Sequence, residues 1–375
     1  MRRKYGVSYK GSKSKIADKL AEVIPYRGID NFYDLFAGGC AVTHKMYLEG
    51  RYKHYYANDI NGQALRLFCD GLKGKYANET RWISREDFFN LKDSDPYVSC
   101  CWSFGNNQRD YLYSKSIEPY KKACHYAIVF NDFSLLRQLY PSVSEACEIT
   151  LKGITDIHER RIKFRNIVKS RLNDGDNTQF LETSGEMDRL ESLERLERLQ
   201  SLEHLERLQS LERLERLQSL EHLERLQSLE HLERLQSLEH LERLQSLEHL
   251  ERLQSLEGSI SDYRDVEIKS NSVIYADIPY IATNTYDNTS SVIQPFNHEE
   301  FYDWCCKQNE LVLISEYYMP EDRFTKVWSV KHVQSLCAAK TSSVQECLFV
   351  PTRQLEKYNN MMKRSQPCQS LFTNV

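Results

Sequence analysis

The sequence predicts an α/β protein built on one parallel-dominated sheet, with a helical region and a long, helical, leucine-rich insertion. Strand-like runs alternate with helical stretches on both sides of residues 188–257, which favours βαβ units whose sheet is interrupted in sequence. Amphipathic stretches rich in Lys and Arg occupy much of residues 111–187, and their spacing is typical of helices. A nonapeptide repeat of good helix formers then precedes a second set of strands.

The first predicted element is a strand that leads through a glycine turn into a helix. Residues 31–36 (NFYDLF) form the strand, residues 37–40 (AGGC) form the turn, and the helix begins near Ala41. A glycine-rich turn between a strand and a helix suits a cofactor that lies close to the backbone. Taken alone, this turn is only weak evidence for a cofactor site.

The second predicted strand, residues 54–59 (HYYAND), ends in Asp59 before a helix over residues 61–72. An acidic residue at the end of the second strand, about 20 residues beyond the glycines, is where the ribose hydroxyls of a nucleoside cofactor are bound. The alternative is an ordinary charge near a helix N-terminus. Together with the glycine turn, Asp59 predicts a nucleoside cofactor.

A third notable strand follows the repeat and ends in residues 277–280 (DIPY). Its residues 273–276 (VIYA) are β-branched and aromatic enough for a central strand. The strand thus ends with a carboxylate, a proline and an aromatic ring, at the edge of the sheet where ligands bind in open α/β proteins. The alternative is an ordinary strand exit followed by a turn.

The remaining predicted elements complete the sheet and the helical region. Strands are predicted at residues 81–89, 97–107, 310–318, 324–330 and 347–351. Basic helices are predicted at about residues 117–127, 131–140 and 155–172.

The repeat consists of seven copies of SLERLERLQ or SLEHLERLQ over residues 192–254. Leucine recurs at every third residue, and three residues advance about 300° around an α-helix. The leucines therefore spiral around the helix instead of forming the fixed apolar stripe of a standard coiled coil. We predict a helical insertion that carries no chemistry and through which copies of the chain could associate by local coiled-coil contacts.

Composition and charge narrow the class of protein. No apolar run reaches the length of a membrane span, and no apolar region of a signal peptide follows the first residues, so we expect a cytoplasmic protein. The eleven Cys show no zinc-binding spacing and are expected to be reduced core residues. The net charge is −4, but the acidic excess lies in residues 188–257. The slightly basic remainder weakly favours a polyanionic partner.

Several of these segments together resemble the Dam-like DNA adenine-N6 methyltransferases of the α order. The resembling motifs are Tyr9-x-Gly11-Ser12-Lys13, Asp34-Leu-Phe36-Ala-Gly38-Gly39, Asn58-Asp59 and Asp277-Ile-Pro279-Tyr280. These motifs follow one another in the order found in the family. The resemblance covers about residues 1–110 and 260–352. The resemblance implies a Rossmann-like methyltransferase sheet and S-adenosyl-L-methionine as cofactor. It also implies double-stranded DNA as partner, with methylation at N6 of an adenine that is flipped out of the duplex.

The resemblance also implies a role for individual residues. It assigns catalysis to Asp277, Ile278, Pro279 and Tyr280. It assigns the cofactor site to Tyr9, Lys13, Asp34, Phe36, Gly38, Gly39, Asp59 and Asp277. Asp277 and the carbonyl of Ile278 would accept the two hydrogens of the adenine amine, and Tyr280 would stack on the base. Ile278 replaces the first proline of the family's D-P-P-Y motif, and Tyr9 replaces a tryptophan.

The predicted organisation divides the methyltransferase domain into two halves. Residues 1–110 form the cofactor-binding half, 111–187 a helical target-recognition region, 188–257 the repeat insertion, 258–352 the catalytic half and 353–375 a C-terminal tail. We expect a free-standing enzyme of the phage or mobile-element type. The alternatives are a catalytically silent nucleic-acid-binding or scaffolding protein that oligomerises through the repeat, and a methyltransferase acting on RNA or on a protein amide.

Overall fold

The computed structural model describes residues 5–173, 256–280, 296–337 and 340–365. The described residues divide into two compact units: one holds 5–79, 83–112 and the residues from 256 onward, and the other holds 80–82 and 113–173. The nonapeptide repeat lies outside the described residues, so its helical character and the self-association assigned to it stay predictions. Within the described ranges, none of the helices combines the length and apolar character needed to cross a bilayer.

The first unit contains a seven-stranded mixed sheet. Its strands are β1 (Asn31–Asp34), β2 (His54–Asn58), β3 (Leu256–Ser259), β4 (Ser272–Asp277), β5 (Leu311–Glu316), β6 (Phe324–Cys337) and β7 (Lys340–Pro351). Their order is β3-β2-β1-β4-β5-β7-β6. The first five strands in this order are parallel, and β7 runs antiparallel to both of its neighbours. The predicted α/β class with a parallel-dominated sheet is confirmed.

The described residues of the first unit also form helices. They are α1 (Ala17–Val23), α2 (Ala41–Leu48), α3 (Gly62–Leu72), α4 (Arg85–Leu91), α5 (Pro96–Cys101), α10 (His298–Lys307) and α11 (Leu355–Ser365). Alternate residues of β4 face two hydrophobic clusters. Val273 and Tyr275 pack in the cluster that includes α1, α2 and α11, whereas Ile274 and Ala276 pack in the cluster that includes α10. Burial on both faces explains why β4 is apolar throughout.

The strand order reverses between β1 and β4. The chain passes from β1 through α2 to β2 on one side, whereas β4 pairs with the other edge of β1, with Asp34 in register with Tyr275. At such a reversal the connections leave the carboxyl ends of the two strands in opposite directions, which opens a crevice where ligands bind in doubly wound sheets. The glycine turn after β1 and Asp277 at the end of β4 both border this crevice.

The prediction of strands at residues 81–89 and 97–107 is wrong. The chain forms α4 and α5 there instead. Ser84 and Asp87 make a reciprocal capping box at the start of α4, and Asp95 caps α5 with Pro96 in its first turn. These helix-start signals outweigh the β propensity of the aromatic residues that follow. The third parallel strand comes from β3, a short, mostly exposed edge strand.

The second unit is helical and contains α6 (Glu118–Val129), α7 (Ser134–Leu139), α8 (Pro141–Leu151) and α9 (Ile157–Asn173). Two of its basic residues are structural. The guanidinium of Arg160 donates to the carbonyls of Ile128 at 2.5 Å and Leu151 at 3.1 Å, which satisfies acceptors at the carboxyl ends of α6 and α8. Lys121 is buried, and desolvation lowers its pKa to about 8. Only part of the basic surface expected from the sequence is therefore exposed.

Candidate active site

The glycine turn lies against the N-terminal segment of the chain. The amide of Val7 donates to the carbonyl of Gly39 at 2.8 Å. A Cβ added at Gly39 would lie 2.6 Å from the Val7 carbonyl oxygen, and one added at Gly38 would lie 2.7 Å from the ring of Tyr9. Gly38 also has a positive φ of +49°, which side chains rarely adopt. The two glycines are thus required for Tyr9 to approach the turn.

Asp59 follows β2 and holds the glycine turn from the other side. Its two carboxylate oxygens accept the backbone N–H groups of Gly38 and Asn61, each at 2.7 Å. Burial raises the pKa of Asp59 to about 6, against the lowering effect of these two hydrogen bonds. A carboxylate offers about four acceptor positions, so two such bonds leave acceptor capacity for the hydroxyls of a ribose.

Asp34 ends β1 beneath the same turn. Its Oδ2 accepts a hydrogen bond from Thr43 Oγ1 at 2.6 Å, and its buried Oδ1 has no partner among the described residues. Burial raises the pKa of Asp34 to about 7, and the charges of Asp277 and Asp59 add to this rise. The three carboxylates therefore repel one another electrostatically.

Phe36 follows β1 and is half-buried in an aromatic cluster. Its ring centre lies 5.6 Å from those of Tyr263 and Phe296 and 5.5 Å from that of Phe301. These edge and tilted contacts are favourable for aromatic rings. Phe36 is thus anchored in the core that supports the crevice, and any contact with a ligand would use its remaining exposed surface.

Asp277 contacts a lysine from the N-terminal segment. Its Oδ1 lies 2.7 Å from Lys13 Nζ, and the two side chains are 20% and 10% exposed. The same ammonium lies 4.7 Å from the centre of the Tyr280 ring and 3.7 Å from Glu346 Oε1. Burial raises the pKa of Asp277 to about 6, Lys13 opposes this rise, and Glu346 adds to it. Asp277 is therefore ionised at neutral pH but more basic than an exposed aspartate.

Tyr280 is held at its hydroxyl and at its ring. The hydroxyl donates to the carboxylate of Glu346 on β7, which also accepts from Ser315 Oγ at 2.8 Å. The ring meets that of Tyr317 edge-on, with centres 4.4 Å apart and an angle of 70° between the planes. These contacts fix the orientation of Tyr280 at the tip of β4.

The two residues between Asp277 and Tyr280 are tied to the core. Ile278 is buried in the cluster that contains Tyr33, Ile274 and Phe301. The carbonyl of Pro279 lies 2.7 Å from Nε2 of His298. The isoleucine that replaces the expected proline thus fills core volume, which a proline side chain would fill less completely.

Three residues of this site were not predicted from the sequence, namely Ser315, Tyr317 and Glu346. The first two lie in the run predicted as a strand at residues 310–318. Glu346 directly precedes the apolar run CLFVP and falls outside the predicted strand, although β7 begins at Lys340. The sequence feature that could have indicated Glu346 is a carboxylate next to an apolar strand, because a carboxylate needs polar partners when it is buried.

The part of the sequence that contains the N-terminal motifs also matches the model of a known protein family. Residues 9–146 match the model of the D12 class N6 adenine-specific DNA methyltransferases. Over these residues, somewhat more than a third of the chain, the sequence is similar to that class. The resemblance inferred from the motifs is thus confirmed, and with it methylation of adenine in DNA as the activity. A search of curated proteins finds no match to this sequence.

The family match divides the site of the methyltransferase in two. The matched residues include Tyr9, Lys13, Asp34, Phe36, Gly38, Gly39 and Asp59. Asp277 to Tyr280 lie beyond the match, so the catalytic roles assigned to them from the motif stay predictions. The ion pair between Lys13 and Asp277 joins the two parts.

We expect that Asp34→Asn will stabilise the methyltransferase at about pH 8. Because the folded-state pKa of Asp34 is raised to about 7, the folded protein retains a proton that the unfolded chain loses above about pH 4. Wild-type stability therefore falls as the pH rises through that window. Asparagine does not titrate, so the variant does not lose stability in this way. Its free energy of unfolding should exceed that of the wild type only slightly near pH 4.5, and by roughly 2–4 kcal/mol above about pH 7.

The measurement is denaturant unfolding of both proteins at the two pH values. The exposed Asp93, changed to asparagine, serves as the control and should leave stability unchanged. A gain from Asp34→Asn that is equal at both pH values would contradict the titration of Asp34.

Proposed function

We propose that methyl transfer takes place in the crevice between the carboxyl ends of β1 and β4, with S-adenosylmethionine as a substrate that donates the methyl group. The observation that carries this proposal is the Lys13–Asp277 ion pair beside Tyr280, at the point where the strand order reverses. A carboxylate and an aromatic ring then flank the position where a flipped adenine would enter.

The residues that border the crevice fit S-adenosylmethionine. Asp59 has acceptor capacity for ribose hydroxyls, and the turn at Gly38 and Gly39 brings the backbone of the chain close to the ligand. The mutually repelling carboxylates of Asp34, Asp59 and Asp277 favour a cationic ligand. When bound, S-adenosylmethionine supplies an electrophilic methyl group on a positively charged sulfur.

The chain's own residues would make the adenine amine reactive. The nitrogen lone pair is delocalised into the ring, and acceptors for both N–H hydrogens oppose that delocalisation. Asp277 and the carbonyl of Ile278 would be these acceptors. The C–S bond breaks as the C–N bond forms, and the amine gives up one proton, for which Asp277 is the nearest proposed base. Its raised pKa suits this role, because a more basic carboxylate takes the proton more readily.

Tyr280 would hold the flipped base by stacking. Exposed basic residues of the helical region would bind DNA phosphates; on α8, α9 and the loop between them these are Lys152, Arg165 and Lys169. Affinity for DNA should then fall steeply with salt, because binding releases counterions. We also propose the domain limits predicted from the sequence, in which residues 111–187 form the target-recognition region.

The decisive experiment incubates the full chain with tritiated S-adenosylmethionine and unmethylated duplex DNA, followed by nucleoside analysis. We expect label in N6-methyl-2′-deoxyadenosine and none in methylated cytosine nucleosides. RNA and a protein mixture serve as alternative substrates in parallel reactions. Binding of S-adenosylmethionine without N6-methyladenine on any DNA tested would instead support the catalytically silent binding protein.

A further inference from the structure

We propose that Glu346 on β7 is a positioning residue, which fixes the ring of Tyr280 and adjusts the charge balance around Asp277 for the transfer step. This inference rests on the proposed roles of Asp277 and Tyr280. It assigns to the methyltransferase a third carboxylate, from a strand that lies outside both sequence motifs and outside the matched family region.

The surroundings of Glu346 set it apart from an ordinary strand residue. It is 1% exposed and stands next to the apolar run of β7. Burying a carboxylate is costly unless it is paired and hydrogen-bonded. Glu346 accepts hydrogen bonds from Tyr280 and Ser315, and Lys13 Nζ lies 3.7 Å away. All three partners lie at the candidate active site.

The contact with Tyr280 restricts the ring that would stack on adenine. The residues from 281 to 295 lie outside the described structure, and the described contacts of Tyr280 include Glu346 on β7, Tyr317 directly after β5 and Lys13. Glu346 holds the hydroxyl end of the ring, and Tyr317 contacts its edge. Fixing a side chain in its productive orientation before the substrate arrives reduces the entropy lost on binding.

The contact with Lys13 affects Asp277. One ammonium is shared between two carboxylates, at 2.7 Å from Asp277 and 3.7 Å from Glu346. The charge of Glu346 therefore offsets part of the stabilisation that Lys13 gives to ionised Asp277, and it helps to raise the pKa of Asp277 to about 6.

Other groups act on Asp277 from the neighbouring elements. Tyr280 lowers the pKa of Asp277 through its hydroxyl. Tyr275 on β4 and the carboxylates of Asp34 and Asp59 also interact with Asp277 electrostatically. Glu346 accepts the hydroxyl of Tyr280, so a substitution at position 346 must keep an acceptor for this hydroxyl if a shift is to be attributed to the charge of Glu346.

The test is Glu346→Gln, which keeps an oxygen acceptor for Tyr280 and Ser315 but removes the charge. With one negative neighbour fewer, Asp277 should have a lower pKa. The acidic limb of the kcat/KM profile should move to lower pH by about 0.5–1 unit. At pH 8 kcat should fall several-fold, because Asp277 becomes a weaker acceptor.

Two further variants separate this role from a structural one. Glu316→Gln is the matched control, because Glu316 is a buried carboxylate on the neighbouring β5 that acts on Tyr302; its acidic limb should not move. Tyr280→Phe removes the hydroxyl that lowers the pKa of Asp277. The acidic limb of the kcat/KM profile of Tyr280→Phe should therefore move to higher pH, whereas that of Glu346→Gln should move to lower pH.

A readout without turnover distinguishes failure of this inference from failure of the proposed function. The carboxyl carbon resonance of Asp277, identified by its loss in Asp277→Asn, is titrated by NMR in the wild type and in Glu346→Gln. We expect the midpoint to be lower in the variant. A folded Glu346→Gln protein with an unchanged midpoint overturns the inference. A shifted midpoint in a protein that methylates no DNA supports the effect of Glu346 on Asp277 and contradicts the proposed function.

Discussion

Asp277→Asn is expected to lower the rate of methyl transfer at least ~100-fold, the scale of removing one preorganised polar group from a transition state. The side chains have the same shape, but asparagine is a weaker acceptor and cannot take up the proton of the amine. Because the hydrogen bond to Asp277 strengthens as positive charge develops on nitrogen, its loss should affect catalysis far more than binding. Affinity for S-adenosylmethionine should change no more than a few-fold.

Single-turnover rates with a saturating DNA duplex measure the chemical step, and calorimetry measures the affinity for S-adenosylmethionine. The control is Asp322→Asn, which removes an exposed carboxylate between β5 and β6. A folded Asp277→Asn protein that keeps more than a tenth of the wild-type rate would rule out Asp277 as the acceptor. In the wild type, the rate should fall as the pH drops below about 6, where Asp277 becomes protonated.

Asp59→Ala is expected to weaken binding of S-adenosylmethionine at least about tenfold, because a hydrogen bond to a charged group contributes ~1.5–3 kcal/mol. The alanine also removes the acceptor for the N–H groups of Gly38 and Asn61, so the glycine turn loses a support. Asp59→Asn keeps one acceptor oxygen and should fall between the wild type and Asp59→Ala.

Calorimetric titration of the three proteins with S-adenosylmethionine provides the measurement. Parallel titrations with its uncharged thioether product show how much of the affinity depends on the positive charge. An unchanged dissociation constant in folded Asp59→Ala would remove Asp59 from the proposed binding site, while leaving the transfer chemistry at Asp277 untouched.

Apart from Tyr9 and Lys13 in the N-terminal segment, the site residues predicted from the sequence lie on strongly patterned strands or directly after them. The apolar runs before Asp34 and Asp277 gave β1 and β4, because strands buried on both faces have no polar alternation to obscure them. The glycines after β1 and the acidic residue after β2 stand at fixed positions relative to these strands. Each of these residues lies at the carboxyl end of its strand, as predicted.

Other parts depend on long-range packing that no local pattern reports. The strand β3 has the sequence LEGS, which carries no strand signal, and it forms by pairing with β2. Glu346 acquires its role only when β7 lies beside β5. Arg160 and Lys121 resemble surface charges in the sequence, and only their helical surroundings reveal that they are buried.

The pairing of β2 with β3 has a consequence for the length of the chain between them. About 200 residues separate the two strands, and helices α3 to α9 occupy much of the first part of this connection. If the remainder is treated as a flexible chain, the entropy of closing the loop grows only with the logarithm of its length. Adding or deleting one nine-residue copy should change that closure free energy by less than about 0.1 kcal/mol. The pairing of β2 with β3 is therefore compatible with a gain or loss of copies.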